Sequence, residues 1–118
     1  MTLADKLAQS IMTFEGYYLG SVSYQNHNPG NLKYRAQQGT IGKDGMGHAI
    51  FLTFEDGYNA LISLIEGWYR GGRNDIYRPD MTLLQIFSKY AEGNSKEYAD
   101  YVADRLGVTP STKLKDLR

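Results

Sequence analysis

The chain has 118 residues, enough for one domain with a single core. Thirteen basic and thirteen acidic residues cancel, so the cationic excess of a generic nucleic-acid binder is missing. No cysteine is present, which excludes disulfides, thiolate nucleophiles and cysteine-based zinc sites.

The N-terminal stretch MTLADKLAQSIMTFEG lacks a cationic segment followed by an apolar run. No stretch of the chain nears the ~20 apolar residues of a membrane span. The expectation is a protein synthesised in the cytoplasm without a signal peptide and without membrane insertion. Ten tyrosines and thirteen glycines stand out. Tyrosine offers an apolar face and a polar tip, which suits sugar rings and also half-buried helix positions.

In chain order, Leu3, Leu7, Ile11 and Phe14 recur at helical spacing. Thr2 with Asp5 makes a capping-box start, and Gly16 can close the helix. Glu15 then lies at the helix C-terminus. Residues 16–53 show no helical periodicity and are punctuated by Gly, Asn and Pro. Two short runs, Thr40–Ile41 and His48–Leu52, read as strands of a small hairpin, with a hairpin-type Asp-Gly pair at Asp44-Gly45. So long an irregular stretch inside a domain is usually functional.

Thr53 with Asp56 opens a second helix, whose apolar stripe is Tyr58, Leu61, Ile62, Ile65, Trp68 and Tyr69. Gly71-Gly72 stops it. Pro79 and Asp80 mark a linker. Thr82 with Gln85 opens a third helix carrying Leu83, Leu84, Phe87 and Tyr90, and Gly93 ends it. Asn94 with Glu97 opens a fourth, with Tyr98, Tyr101, Val102 and Leu106 on one side and Gly107 at its end. The tail from Thr109 carries a weak signal for one more turn. The predicted class is mainly α with a small β element (α+β). A single domain over 1–118 holds one N-terminal helix, a Gly/Asn-rich lobe with a hairpin, and three or more helices.

Glu15 is the first candidate for chemistry. The negative end of a helix dipole and the aromatic neighbours Phe14, Tyr17 and Tyr18 both disfavour an ionised carboxyl. A proton-bearing carboxylic acid is what glycosidic cleavage requires at the leaving group. The same position also fits a solvated glutamate at a frayed helix end. The stretch Gln25 to Tyr34, rich in amides, reads as tight turns whose side chains can also hydrogen-bond sugar hydroxyls. His27 and His48 lack the carboxylate-rich spacing of a metal site, so neither a metal nor any other cofactor is expected. No phosphate loop or nucleophile elbow is present.

Phe14-Glu15-Gly16 followed by Asn28-Pro29-Gly30-Asn31-Leu32-Lys33-Tyr34 resembles a lysozyme-like family found in phages and bacteria. The likeness continues through Ile41-Gly42-Lys43-Asp44, Gly47 to Phe51, Phe54 to Leu61, and Tyr98 to Val108. More distantly, the order is similar to lytic transglycosylases and bacterial glucosaminidases. The resemblance implies a lysozyme-like fold and cleavage of the peptidoglycan glycan strand, of muramidase or lytic transglycosylase type. It implies Glu15 as the acid, Asn31 in the cleft-lining motif, and Tyr98 as the late tyrosine facing the acid, with Tyr101 competing for that place. Asn28, Asn31, Tyr34 and Tyr101 are the expected substrate-binding residues. The chain departs from the transglycosylase pattern, since glycine rather than serine follows Glu15 and the usual glycine-leucine-methionine-glutamine loop is replaced.

Asp44 is the one candidate for a second carboxylate, and it reads more simply as a turn residue. Without a second carboxylate, the substrate's own N-acetyl group would stabilise the reacting centre. The expected partner is the bacterial glycan strand in the wall or periplasm, reached through a phage particle or larger assembly. The rival reading is a non-catalytic peptidoglycan-binding or virion structural module, since a fold does not fix a function.

Overall fold

The computed structural model describes residues 1–70 and 76–118. Their elements run α1 (Leu3–Phe14), α2 (Val22–Gln25), β1 (Thr40–Lys43), β2 (Ala49–Phe51), α3 (Phe54–Arg70), α4 (Leu83–Tyr90) and α5 (Ser95–Leu106). A 3-10 turn follows at Leu114–Asp116. The class is mainly α with one two-stranded antiparallel sheet. The chain divides into two compact units, one formed by 11–64 and the other by 1–10 with 65–118.

Helix α1 begins with the expected reciprocal cap. The Asp5 N–H donates to Thr2 Oγ1 at 3.1 Å, and the Thr2 hydroxyl and N–H donate to the Asp5 carboxylate. Thr53 Oγ1 accepts the Asp56 N–H at 3.1 Å at the start of α3. The α3 stripe is as its spacing predicts, with Leu61, Ile65 and Trp68 fully buried. The helix is described to Arg70, and the predicted stop at Gly71-Gly72 lies outside the described residues.

In the unit of residues 11–64, the β strands pair Thr40 with Phe51, Gly42 with Ile50 and Lys43 with Ala49, with a bulge between Thr40 and Gly42. The Asp-Gly pair is not a two-residue hairpin turn. Residues 44–48 form a longer connection, closed by the Asp44 N–H to the His48 carbonyl and the Gly47 N–H to the Asp44 carbonyl, with the Asp44 side chain accepting the Met46 and His48 N–H groups as well. Helix α2 was not legible in the sequence. It is a single turn, too short for periodicity to register, and Ser21 caps it by accepting the Tyr24 N–H.

The other unit is built around aromatic rings. Phe87 of α4 stacks on Tyr98 of α5 with centroids 4.6 Å apart, and Tyr90 meets Tyr98 edge-on. Trp68 is edge-on to both Phe87 and Tyr90. Thr82 and Gln85 form the full capping box of α4. Asn94 acts differently from its predicted role. Its backbone is left-handed (φ 54°) and its side chain makes no cap hydrogen bond. Ala99 and Ala103 join Tyr98 and Val102 on the buried face of α5, while Tyr101 and Leu106 are half-buried at its margin. The tail is stitched back to the segment before α4, with Leu114 N–H donating to the Met81 carbonyl and Leu83 N–H to that of Thr112.

Candidate functional site

The end of α1 fixes Glu15. The Gly16 N–H donates to the Thr13 carbonyl at 3.1 Å, and the Tyr17 N–H to that of Met12 at 3.2 Å. Gly16 is left-handed, with φ 73°. This pair of bonds is a Schellman motif, and it makes Glu15 the helix C-cap. A residue with a Cβ is strained at Gly16, so the glycine that stops the helix also sets where the carboxyl emerges. Glu15 is half-buried.

The amide-rich loop reaches the same cavity through Asn31. Asn28 is 0 % exposed. Its side-chain amide donates to the carbonyls of Leu32 and Ala49, and its oxygen accepts the Leu32 N–H, each at 2.9 Å. Both amide protons and one bond to the amide oxygen are thus spent on backbone. It binds the loop to β2. The same loop presents Asn31 in a left-handed conformation (φ 52°), half-exposed. Asparagine tolerates that backbone better than most residues, because its short polar side chain can hydrogen-bond locally.

The hairpin connection forms the third wall. Asp44 Oδ1 accepts the N–H groups of Met46 and His48, and Oδ2 accepts the Asn26 side-chain amide, all at 2.9 Å. The His48 N–H is the chief cause holding this carboxyl below the usual aspartate value. Partial desolvation opposes it, and Asn26, Met46 and the nearby His48 ring add to it. Asp44 is therefore a turn residue whose carboxylate is held by three hydrogen bonds. His48 is 6 % exposed, with Nδ1 3.6 Å from Asp44 Oδ2.

These three walls enclose an open cavity of about 280 Å³, lined by Glu15, Gly16, Tyr18, Ser21, Val22, Ser23, Asn31, Met46 and His48. That volume is near the lower end of the ~300–1,000 Å³ of small-molecule sites. Its lining joins a carboxyl, hydroxyls, an amide and an imidazole to the apolar Tyr18, Val22 and Met46. The sequence pointed to Glu15 and Asn31. Ser21, Ser23, Val22, Met46 and His48 were missed. The Ser21 cap was the one available signal, and it lacks the Glu or Gln three residues on that marks a capping box.

Tyr34 is exposed, and the Lys43 ammonium lies 6.0 Å from its ring centroid. Tyr98 and Tyr101 belong to the other unit. The Tyr98 side chain is 2 % exposed and its ring is used in packing, so any chemical role falls to its phenol oxygen. The Tyr101 hydroxyl accepts from Arg105 at 2.9 Å. Among the described residues, no group of three or more His, Asp or Glu side chains is placed to hold a metal ion. None of the described helices is long and apolar enough to cross a membrane. No protein-family model matches the chain, and no curated protein or solved structure is significantly similar to it.

Proposed function

We propose that the chain cleaves the glycan strand of bacterial peptidoglycan on a lysozyme-like fold, with Glu15 as the general acid. One observation carries this reading: a half-buried glutamate, fixed as the C-cap of α1, in the wall of a cavity lined with hydroxyl, amide and apolar groups. Sugar rings combine apolar faces with hydroxyl edges, so such a lining suits them. The Phe14-Glu15-Gly16 and Asn28 to Tyr34 resemblance supports the same reading.

Glu15 would give its proton to the glycosidic oxygen as the C1–O bond breaks. With Asp44 tied into its turn, the acetamido oxygen of the substrate is the group that stabilises the positive centre. The Glu15 carboxylate then takes a proton from water, or from the sugar's 6-hydroxyl to leave an anhydro end. Asn31 and Ser23 line the cavity and would hold sugar polar groups. Tyr98 enters as the late tyrosine of the resemblance. Neutral net charge suits a domain carried to the wall by a larger assembly, such as a phage particle, more than one that relies on charge to find it.

The test is digestion of purified peptidoglycan followed by mass spectrometry of the soluble sugars. Reducing muramic ends mean muramidase action, and anhydro ends mean transglycosylase action. Glu15→Gln should release at least ~10²-fold less, the usual scale for loss of a general acid. Equal release by this variant ends the acid assignment. The exposed apolar rim of Tyr18, Val22 and Met46 favours one second reading, a wall-binding module without catalysis. Retention on sedimented wall with no soluble sugar released would establish it.

A further inference from the structure

The basic residues of the unit formed by 11–64 are Lys33, Arg35 and Lys43, all within one short stretch. Strand pairing sorts them by face. Lys33 is bridged to His48, and residues directly opposite one another on antiparallel strands share a face. His48 lines the Glu15 cavity, as do Asn31 and Met46, and the Lys33 ammonium lies 3.5 Å from the Met46 carbonyl. Lys33 is therefore an exposed cation on the cavity rim. Lys43 pairs with Ala49, the residue after His48, and so projects to the opposite face, beside the Tyr34 ring. The chain that carries Lys33 and Arg35 is fixed. The Tyr34 N–H donates to the Gly47 carbonyl at 2.9 Å. The Gln37 side chain donates to the Lys33 carbonyl at 2.9 Å and accepts the Arg35 N–H at 2.7 Å. Ala36 is left-handed, with φ 55°, a backbone that a residue with a Cβ keeps only where its surroundings impose it. Arg35 is exposed, and among the described residues no carboxylate lies within ion-pair distance of it.

We infer that Lys33 and Arg35 form an anion-recognition site on the rim of the Glu15 cavity, and that it takes a carboxylate carried by the muramic acid of the glycan strand. This inference rests on the glycan-cleaving reading above. The hydroxyl, amide and apolar groups of the cavity wall suit any N-acetylated sugar. Muramic acid differs from glucosamine at the 3-oxygen, where it carries a lactyl group and, through it, the stem peptide. Both sources supply the same chemistry: the stem has free carboxylates, and a lactyl group stripped of its peptide is itself one. An ammonium and a guanidinium offer such groups charge-assisted hydrogen bonds, the guanidinium in a fork that matches a carboxylate. A strand built of N-acetylglucosamine alone has no carboxylate to place there, so the pair would select muramic acid over a chitin-type polymer.

The test is binding, measured by NMR titration of Glu15→Gln protein so that ligand is not consumed. Three ligands are compared: a peptidoglycan tetrasaccharide with its stem peptides, the same tetrasaccharide after an amidase has removed the stems, and chitotetraose. Adding Lys33→Gln and Arg35→Gln together should weaken binding of the carboxylate-bearing ligands about 10-fold, the scale of two exposed ion pairs, and leave chitotetraose unchanged. Weakening confined to the stem-bearing ligand assigns the stem carboxylates, and equal weakening with the stripped ligand assigns the lactyl side. Lys43→Gln removes the same charge from the opposite face and should change none of the three. Unchanged affinity of the double variant for both muramic ligands overturns the inference. So does an equal loss for chitotetraose, or an equal loss in Lys43→Gln. The outcome is separable from the cleavage reading. Selective binding by a parent that releases no sugar ends the cleavage reading and keeps the carboxylate site, whereas a parent that binds none of the three ligands overturns both.

Discussion

Replacing Gly57 with alanine sets two physical effects against each other within one helix. Gly57 lies in the first turns of α3, is buried, and faces the backbone of the amide-rich loop. A Cβ built there falls inside the van der Waals envelope of the His27 carbonyl oxygen, and 3.0 Å from both the His27 carbonyl carbon and Pro29 Cδ. Reaching an ordinary C···O approach of ~3.3 Å requires the loop backbone to retreat by more than ~1 Å. That backbone is not free to do so. The adjoining Asn28 holds it through three hydrogen bonds, and the Phe51 carbonyl lies 3.0 Å from the His27 ring nitrogen.

Alanine gains about 1 kcal/mol over glycine in a helix interior. Overpacking costs about 1–3 kcal/mol, and each buried hydrogen bond loosened in the loop adds about 1 kcal/mol. The net expectation is a loss of about 2–3 kcal/mol, a fall of roughly 10 °C in midpoint for a domain of this size. Gly67 of the same helix is the internal control. A Cβ there meets only the Arg70 guanidinium, at 3.8 Å. Gly67→Ala should therefore be stabilised, by up to about 1 kcal/mol. Thermal and urea unfolding of both variants decides the matter. A Gly57→Ala protein at least as stable as the parent would refute the close approach of α3 to the loop, and with it the support beneath Asn31.

The Asp44 carboxyl is lowered in the folded state, so its contribution to stability is present above pH ~4 and is lost as pH falls through the still lower folded value. Asp44→Asn should flatten the acid side of the stability curve, measured by urea unfolding between pH 2 and pH 6, and an unchanged slope would count against the turn as described. Tyr69 donates to the Leu114 carbonyl at 3.3 Å, and burial pushes its phenol up to about 12. Its stabilisation holds below the ordinary tyrosine value of 10 and falls away as pH rises to about 12. Tyr69→Phe should cost no more than about 1 kcal/mol at neutral pH and should lose less stability than the parent in that alkaline window. Tyr98→Ala should cost about 3–5 kcal/mol through loss of the ring contacts, whereas Tyr98→Phe should unfold within about 1 kcal/mol of the parent.

Much of the local structure was legible because its causes are local. The stripe from Tyr58 to Tyr69, the caps at Thr2, Thr53 and Thr82, and the Gly16 stop each act within a few residues, and each is found in place. Helix α2 was hidden because four residues cannot show a period. Asn94 kept its place at a helix start but changed its means, since a left-handed backbone and a side-chain cap look alike as a letter in a sequence.

By itself, the amino-acid order determined that Glu15 ends a helix, because a glycine able to adopt positive φ follows it and the apolar spacing stops there. It also determined that an amide-rich loop and a hairpin come next. Only the tertiary structure decided which of these side chains bond to distant parts of the chain and which line the cavity. Asn28 and Asp44 have side chains as suitable for binding as Asn31 and His48. Asn28 is tied to the Ala49 carbonyl and Asp44 to the Asn26 side-chain amide, while Asn31 and His48 lie in the cavity wall, and such pairings depend on residues that are distant along the chain.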